Sequence, residues 1–172
     1  MTRSVVLTVI GPDRPGLVES ISTAVADYGG NWLESRMARL AGQFSGIVLV
    51  QVADDQAADL LTAVKRLSGS GLKIMVEDCC DEVPAVERRM IHLELVGQDR
   101  PGIVRQISKA LAALDINVEE LDTDCESASM SGEMLFRANA RLGLPTGVST
   151  QALRDRLEVL ADELMVDIEL ED

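Results

Sequence analysis

The segment Gly11-Pro12-Asp13-Arg14-Pro15-Gly16-Leu17-Val18 returns 86 residues later as Gly97-Gln98-Asp99-Arg100-Pro101-Gly102-Ile103-Val104. Repetition at a fixed offset constrains architecture before any single residue does, because each copy must be a folding unit of the same kind. The apolar positions Leu17, Val18, Ile21, Ala24, Val25 and Tyr28 fall on Ile103, Val104, Ile107, Ala110, Leu111 and Leu114. Ser22 falls on Ser108, Asn31 on Asn117 and, with the offset kept, Gly46 on Gly132. The 172 residues thus hold the same small fold twice, in modules of about 80 residues that can each bury a core.

Arg3 to Ile10 is rich in β-branched residues and ends at Gly-Pro, which predicts a strand running into a loop. From Pro15 the apolar residues recur at the spacing of an amphipathic helix with one face on a sheet, and Gly29-Gly30 stops it. Asn31 to Leu40 and Phe44 to Ala53 predict two strands joined by a hairpin around Ala41-Gly42-Gln43. A second helix is predicted from Asp55 to Leu67, burying Leu60, Leu61, Val64 and Leu67. After Ser68-Gly69-Ser70-Gly71, alternating Leu72, Ile74 and Val76 form a last strand. The second half repeats the order βαββαβ over Met90–Val96, Pro101–Leu114, Ile116–Glu126, Glu133–Arg141, Thr150–Glu163 and Met165–Leu170.

Leu60, Val64 and Leu67 match Leu153, Leu157 and Leu160 at an offset of 93. Seven extra residues are therefore expected between the third strand and second helix of the second copy, near Leu142 to Val148, where Gly143, Pro145 and Gly147 give a loop composition. The expected division is a first module at 1–80, a charged, proline-bearing linker at 81–88 and a second module at 89–172. Each βαββαβ unit predicts an α+β, ferredoxin-like module, a four-stranded antiparallel sheet with two helices on one face. Its other face needs a partner or polar cover. Open strand edges make self-association, such as a homodimer, an expectation.

The formal charge of -13 is shared unequally: residues 1–86 carry 7 basic and 11 acidic groups, and residues 87–172 carry 9 and 18. Direct nucleic-acid binding leans on Lys and Arg neutralising phosphates, so so acidic a chain without a basic cluster argues against it. The longest apolar runs, such as Ile47 to Val50, fall far short of a membrane span. The chain enters its first strand at once, with no secretory pattern, and a cytoplasmic location is expected. Cys79, Cys80 and Cys125 have no CxxC or histidine partner. They predict reduced thiols rather than a metal site or a disulfide framework.

Strand, then Asp-Arg-Pro-Gly, then helix brings unpaired backbone N–H groups and the positive helix end to one point, which favours an anion. Pro15 and Pro101 suit a first helical turn and push Arg14 and Arg100 toward extended angles. Gly16 and Gly102 leave the backbone bare before Leu17 and Ile103. Two jobs stay open for Asp13 and Asp99: accepting hydrogen bonds from the first helical N–H groups, or meeting a ligand ammonium. Asn31 and Asn117, at the start of the next strand, offer a donor and an acceptor each. A small ligand with both a carboxylate and an ammonium would suit this set. Gln98 in place of Pro12 and Val118 in place of Trp32 predict that the two copies are not equivalent.

With these residues in view, both halves resemble ACT domains, the amino-acid-sensing regulatory modules. The resemblance covers nearly the whole chain. It implies that Gly16 and Gly102 lie beside an effector site and that an Asn such as Asn31 or Asn117 helps bind an amino acid across a domain interface. Two such modules in tandem are similar to the glycine cleavage system transcriptional repressor family. That likeness implies an accessory protein restraining a DNA-binding transcription regulator, with glycine or a relative as effector and no cofactor.

No enzyme is expected. Nucleophilic hydrolysis needs a positioned base, and the single histidine, His92, falls mid-strand as a half-buried residue with no counterpart at Val6. Similar modules precede the catalytic domain of formyltetrahydrofolate deformylase, but the sequence ends after the second copy's last strand, and no catalytic domain is expected. Glu119, Glu120, Asp122, Asp124 and Glu126 form an acidic run that is either a solvated sheet surface or a docking face for a basic partner. The alternative functions are a constitutive interaction scaffold with structural loops, or a stand-alone regulatory subunit of a metabolic enzyme.

Overall fold

The computed structural model describes residues 1–79, 88–127 and 132–171. It contains two compact units, Met1–Val83 and Pro84–Asp172. The linker expected at 81–88 lies, except for Arg88, outside the described residues, as does Cys80.

The first unit runs β1 (Thr2–Pro12), α1 (Leu17–Asp27), β2 (Asn31–Leu40), β3 (Gln43–Ala53), α2 (Asp54–Arg66), a single 3-10 turn (Leu67–Ser70) and β4 (Lys73–Cys79). Its strands lie in the order β2-β3-β1-β4, all neighbours antiparallel. Alternation along β1 buries Val5, Leu7 and Val9 on the helix side, where they meet Leu17, Ile21 and Val25 of α1 and Ala57, Leu60 and Val64 of α2. These helices hold together through that apolar stripe rather than through propensity alone.

The second unit repeats the plan with β5 (Arg89–Gln98), α3 (Ile103–Ala112), β6 (Asn117–Ser127), β7 (Met134–Leu144), α4 (Thr150–Leu164) and β8 (Val166–Glu171), in the sheet order β6-β7-β5-β8. Two tandem βαββαβ modules of ferredoxin-like topology are therefore present, as the sequence predicts. The predicted start of the last strand at Met165 is corrected. Met165 takes a left-handed conformation that closes α4, whose N-terminus is capped by the Ser149 hydroxyl accepting from the Ala152 N–H at 3.1 Å.

The two copies also correspond differently from the sequence expectation at their third strands. Val9 pairs with Gly46, and its counterpart Leu95 pairs with Ala138, an offset of 92 (138 minus 46). Gly46 therefore matches Ala138, not Gly132. Leu40 faces Gln43 across a two-residue turn, whereas Glu126 faces Leu135, so six of the seven extra residues sit in the β6–β7 hairpin and one follows β7. Leu142, Gly143 and Leu144, expected in a loop, are strand residues paired with β5. A hairpin absorbs insertion at its tip without disturbing strand register, which makes it the cheaper site.

Packing differs where the copies differ. Trp32 and Met37 pack on the first core. Their counterparts Val118 and Thr123 are smaller, and the second module has an apolar cavity of about 30 Å³ there, between Ile107, Leu111, Val118, Leu121 and Phe136.

Candidate functional site

The strand-to-helix loop is built the same way twice. Asp13 N–H donates to the Gly42 carbonyl at 2.9 Å and Asp99 N–H to the Met134 carbonyl at 2.8 Å, tying each loop to the hairpin end of its own sheet. Gly16 then takes φ 87° and Gly102 φ 100°, the left-handed region, so the helices begin only at Leu17 and Ile103. Pro15 and Pro101 accordingly precede the helix rather than occupying its first turn. The glycine carbonyls accept the first helical bonds, from Ser20 N–H at 2.9 Å and Gln106 N–H at 3.0 Å.

Neither helix has a side-chain cap, so the capping role open to Asp13 and Asp99 is not taken. A Cβ at Gly16 would meet only Glu19 Oε2, at 3.8 Å, and one at Gly102 only Gln106 Nε2, at 4.0 Å. The glycines answer a backbone requirement, and the surface above the first-turn N–H groups is open. Those groups and the helix dipole make both places attractive to a carboxylate.

The surroundings of the two loops differ in charge. In the first, Arg39 Nε donates to Asp13 Oδ2 at 2.7 Å. Arg39 faces Phe44 on β3, and the residue that faces the matching Phe136 on β7 is Cys125. A thiol thus stands where the first module has a guanidinium, and it lies against Asp99. Desolvation first, then the carboxylates of Asp99 and Asp124, raise the pKa of Cys125 above the ordinary thiol value. Glu19 stands in the first turn of α1, and Arg105 holds that place in α3.

The loop arginines part in the same way. Arg14 is exposed and makes no hydrogen bond or ion pair among the described residues. Arg100 donates from Nη2 to the Glu163 carbonyl at 3.1 Å, at the C-terminal turn of α4, where a cation is favoured by the exposed carbonyls. Arg39, Cys125 and Glu163 escape sequence reasoning because only the β2 and β6 register and the α4 terminus bring them to the loops.

Asn31 and Asn117 are not gathered with the loops. Asn31 faces Gln51, whereas Pro12 faces Gln43 at the other end of β3. Eight strand residues separate the two levels, about 27 Å at strand rise. The cause is α1, which runs back along the sheet before β2 begins. Within one module a small ligand therefore touches either the Asp-Arg-Pro-Gly loop or the Asn, not both. Asn117 Nδ2 donates to Glu119 Oε1 at 2.7 Å, and that oxygen lies 3.7 Å from Arg88 Nη1.

Comparison with known proteins agrees with the fold. Residues 3–77 match the ACT domain family. The chain is 22% identical to the glycine cleavage system transcriptional repressor of Escherichia coli (strain K12), covering 92% of this chain and 84% of that protein. A solved structure of an unknown protein from Galdieria sulphuraria superposes over 99% of this chain and 98% of its own, with a TM-score of 0.87 and 32% identity. The first module is an ACT domain. A solved structure described as a glycine cleavage system transcriptional repressor has the same fold over 99% of this chain and 97% of its own (TM-score 0.71, 19% identity). The phosphoserine phosphatase SerB2 of Mycobacterium tuberculosis is 27% identical over 98% of this chain, which spans 41% of that enzyme.

The acidic run of the second module lies along edge strand β6, its side chains exposed except that of half-buried Glu120. Arg141 Nη2 reaches Glu120 Oε1 at 2.8 Å and Arg137 Nε reaches Glu126 Oε2 at 3.6 Å. His92, half-buried as expected, lies 3.5 Å from Glu94 on the same sheet face. Among the described residues no cluster of His, Cys, Asp and Glu could hold a metal ion, and no helix is long and apolar enough to cross a membrane.

Proposed function

We propose that this ACT-domain chain is an amino-acid-responsive regulator whose second-module loop, Asp99 to Ile103, receives a small amino acid such as glycine. The observation that carries this reading is the pairing of an uncapped helix N-terminus with an aspartate, Asp99, that has no ion-pair partner among the described residues. The carboxylate of the ligand would accept from the first-turn N–H groups of α3, where Arg105 adds favourable charge, and its ammonium would meet Asp99. In the first module the same loop is poorer on both counts, because Arg39 neutralises Asp13 and Glu19 opposes an anion. Asp13, Arg14, Pro15, Gly16 and Leu17 are then the weaker, mainly structural copy. Asn31 and Asn117 are separate recognition points at the opposite ends of their sheets.

Likeness to the transcriptional repressor supports the finer proposal that the bound amino acid changes how the chain meets a DNA-binding transcription regulator. Thermal shift with each proteinogenic amino acid tests the first part. A ligand at about a hundred times its Kd adds about 2.7 kcal/mol of apparent stability, and no shift with any amino acid refutes it. A pull-down of the regulator with and without glycine tests the second.

The acidic outer face of the second sheet favours one further reading, a constitutive scaffold that holds a basic partner whatever the metabolite level. Retention unchanged by glycine would support it over sensing.

A further inference from the structure

The outer faces of the two sheets, opposite their helices, differ sharply in chemistry. In the second module the rows across the strands read Glu120-Arg141-His92-Glu171, Asp122-Asn139-Glu94-Glu169 and Asp124-Arg137-Val96-Asp167. That face is charged and suited to water. In the first module the matching rows read Glu34-Leu49-Val6-Glu77, Arg36-Ile47-Thr8-Met75 and Ala38-Ser45-Ile10-Lys73. Ile10, Ile47 and Met75 are 46%, 51% and 61% exposed there, with half-buried Val6 and Leu49 in the row beyond Ile47 and Met75. Strands covered on both faces read as unbroken apolar runs, and strands with one wet face alternate. β1 and β3 carry Val5-Val6-Leu7 and Ile47-Val48-Leu49-Val50, whereas β5 alternates as Ile91-His92-Leu93-Glu94-Leu95.

We infer that the outer sheet face of the first module packs on the same face of a second copy of this chain. The charges at its rim choose that occupant. Lys73 and Glu77 flank Met75 at equal distances on β4, and neither makes an ion pair among the described residues. A two-fold axis crossing the strands at the Thr8–Met75 row lays Lys73 of one copy over Glu77 of the other, and the reverse. The same operation sets Ile10 over Val6 and keeps Ile47 and Met75 at the centre. Arg36, which also meets its own equivalent on the axis, brings its own counter-charge, because Glu34 Oε1 lies 3.1 Å from its Nη2. A face carrying both signs in this arrangement is complementary to itself, as a closed two-fold interface requires.

Four strands about 4.8 Å apart present roughly 500 Å² here. That is below the ~800 Å² per partner of a standard interface, so the dimer exchanges with monomer on dilution. This inference stands apart from amino-acid binding and does not depend on it.

Sedimentation velocity of the full chain over a wide concentration range tests it, with circular dichroism confirming that each variant is folded. The wild-type chain should dimerise reversibly, Ile47→Asp should abolish association, and Lys73→Glu should raise the dissociation constant about tenfold or more by losing two symmetric contacts at once. Lys73→Glu combined with Glu77→Lys should restore dimerisation at both exposed positions. A chain monomeric at all concentrations, an Ile47→Asp variant that dimerises like wild type, or a charge-swapped double variant no better than the single would each overturn the proposal.

Discussion

Arg39 Nε donates to Asp13 Oδ2 at 2.7 Å, and the residue equivalent to Arg39 beside the second loop is Cys125. One aspartate is therefore neutralised by its own sheet and its twin is not. If an aspartate reads the ligand ammonium, Cys125→Arg should weaken amino-acid binding by isothermal titration, to the level of the first loop. Arg39→Ala should do the opposite for the first module while costing at most about 1 kcal/mol, the usual worth of an exposed pair. Unchanged binding in both variants would remove the aspartates from recognition.

The setting of Cys125 predicts a pH dependence. Its pKa is raised in the folded chain by desolvation, Asp99 and Asp124, so the folded state holds the thiol proton more tightly than the unfolded state. Its contribution to stability is intact below the unfolded thiol pKa and is lost as pH rises toward the folded one. With Cys79 and Cys80 replaced by serine, alkylation of Cys125 should reach half-maximal rate at a higher pH in the folded chain than in urea. Asp99→Asn should bring that midpoint down.

Gly102 is required for its backbone and not for room. Gly102→Ala should cost about 1–2 kcal/mol in urea denaturation, because φ 100° is unfavourable for any side chain, even though the nearest atom to a new Cβ lies 4.0 Å away. Gly102→Asn should cost less, as asparagine tolerates left-handed angles. Equal costs for the two would place the penalty in packing instead.

Gly46 is required for the opposite reason. A Cβ there would come within 2.7 Å of Met37 Cγ and 3.0 Å of the Arg36 carbonyl oxygen, and Gly46→Ala should cost about 1–3 kcal/mol. The second module carries the relieved version of this contact, Ala138 against Thr123. Adding Met37→Thr should therefore recover part of the loss, a coupling that a double-mutant cycle measures.

That last pair also shows what the sequence withheld. Local signals were enough for each strand and helix, because β-branched runs and the spacing of Leu17, Ile21 and Val25 are properties of a few neighbouring residues. Matching Gly46 to Gly132 failed because a hairpin hides its insertion at the tip, where no hydrophobic period marks it. Only cross-strand pairing ties Gly46 to Ala138. The strand-to-helix turn at Gly16 and Gly102 was legible from Asp-Arg-Pro-Gly, although the left-handed glycine delays the helix past the proline. Asn31 stands fifteen residues beyond Gly16 and looks close in a linear reading. An antiparallel helix carries it to the other end of the sheet, which only the three-dimensional path reveals.

The sheet order has a consequence for synthesis on the ribosome. β1 and β5 each sit between two partners, β1 between β3 and β4 and β5 between β7 and β8. The first strand of each module to emerge is thus the one that must wait for the most distant pairings, and closing such loops is slow. The first sheet can be complete once Lys73–Cys79 clears the exit tunnel, before β5 has a partner. Until then the largely apolar Val5–Ile10 stretch of β1 stays open, and that interval is when the nascent chain is most exposed to misassociation.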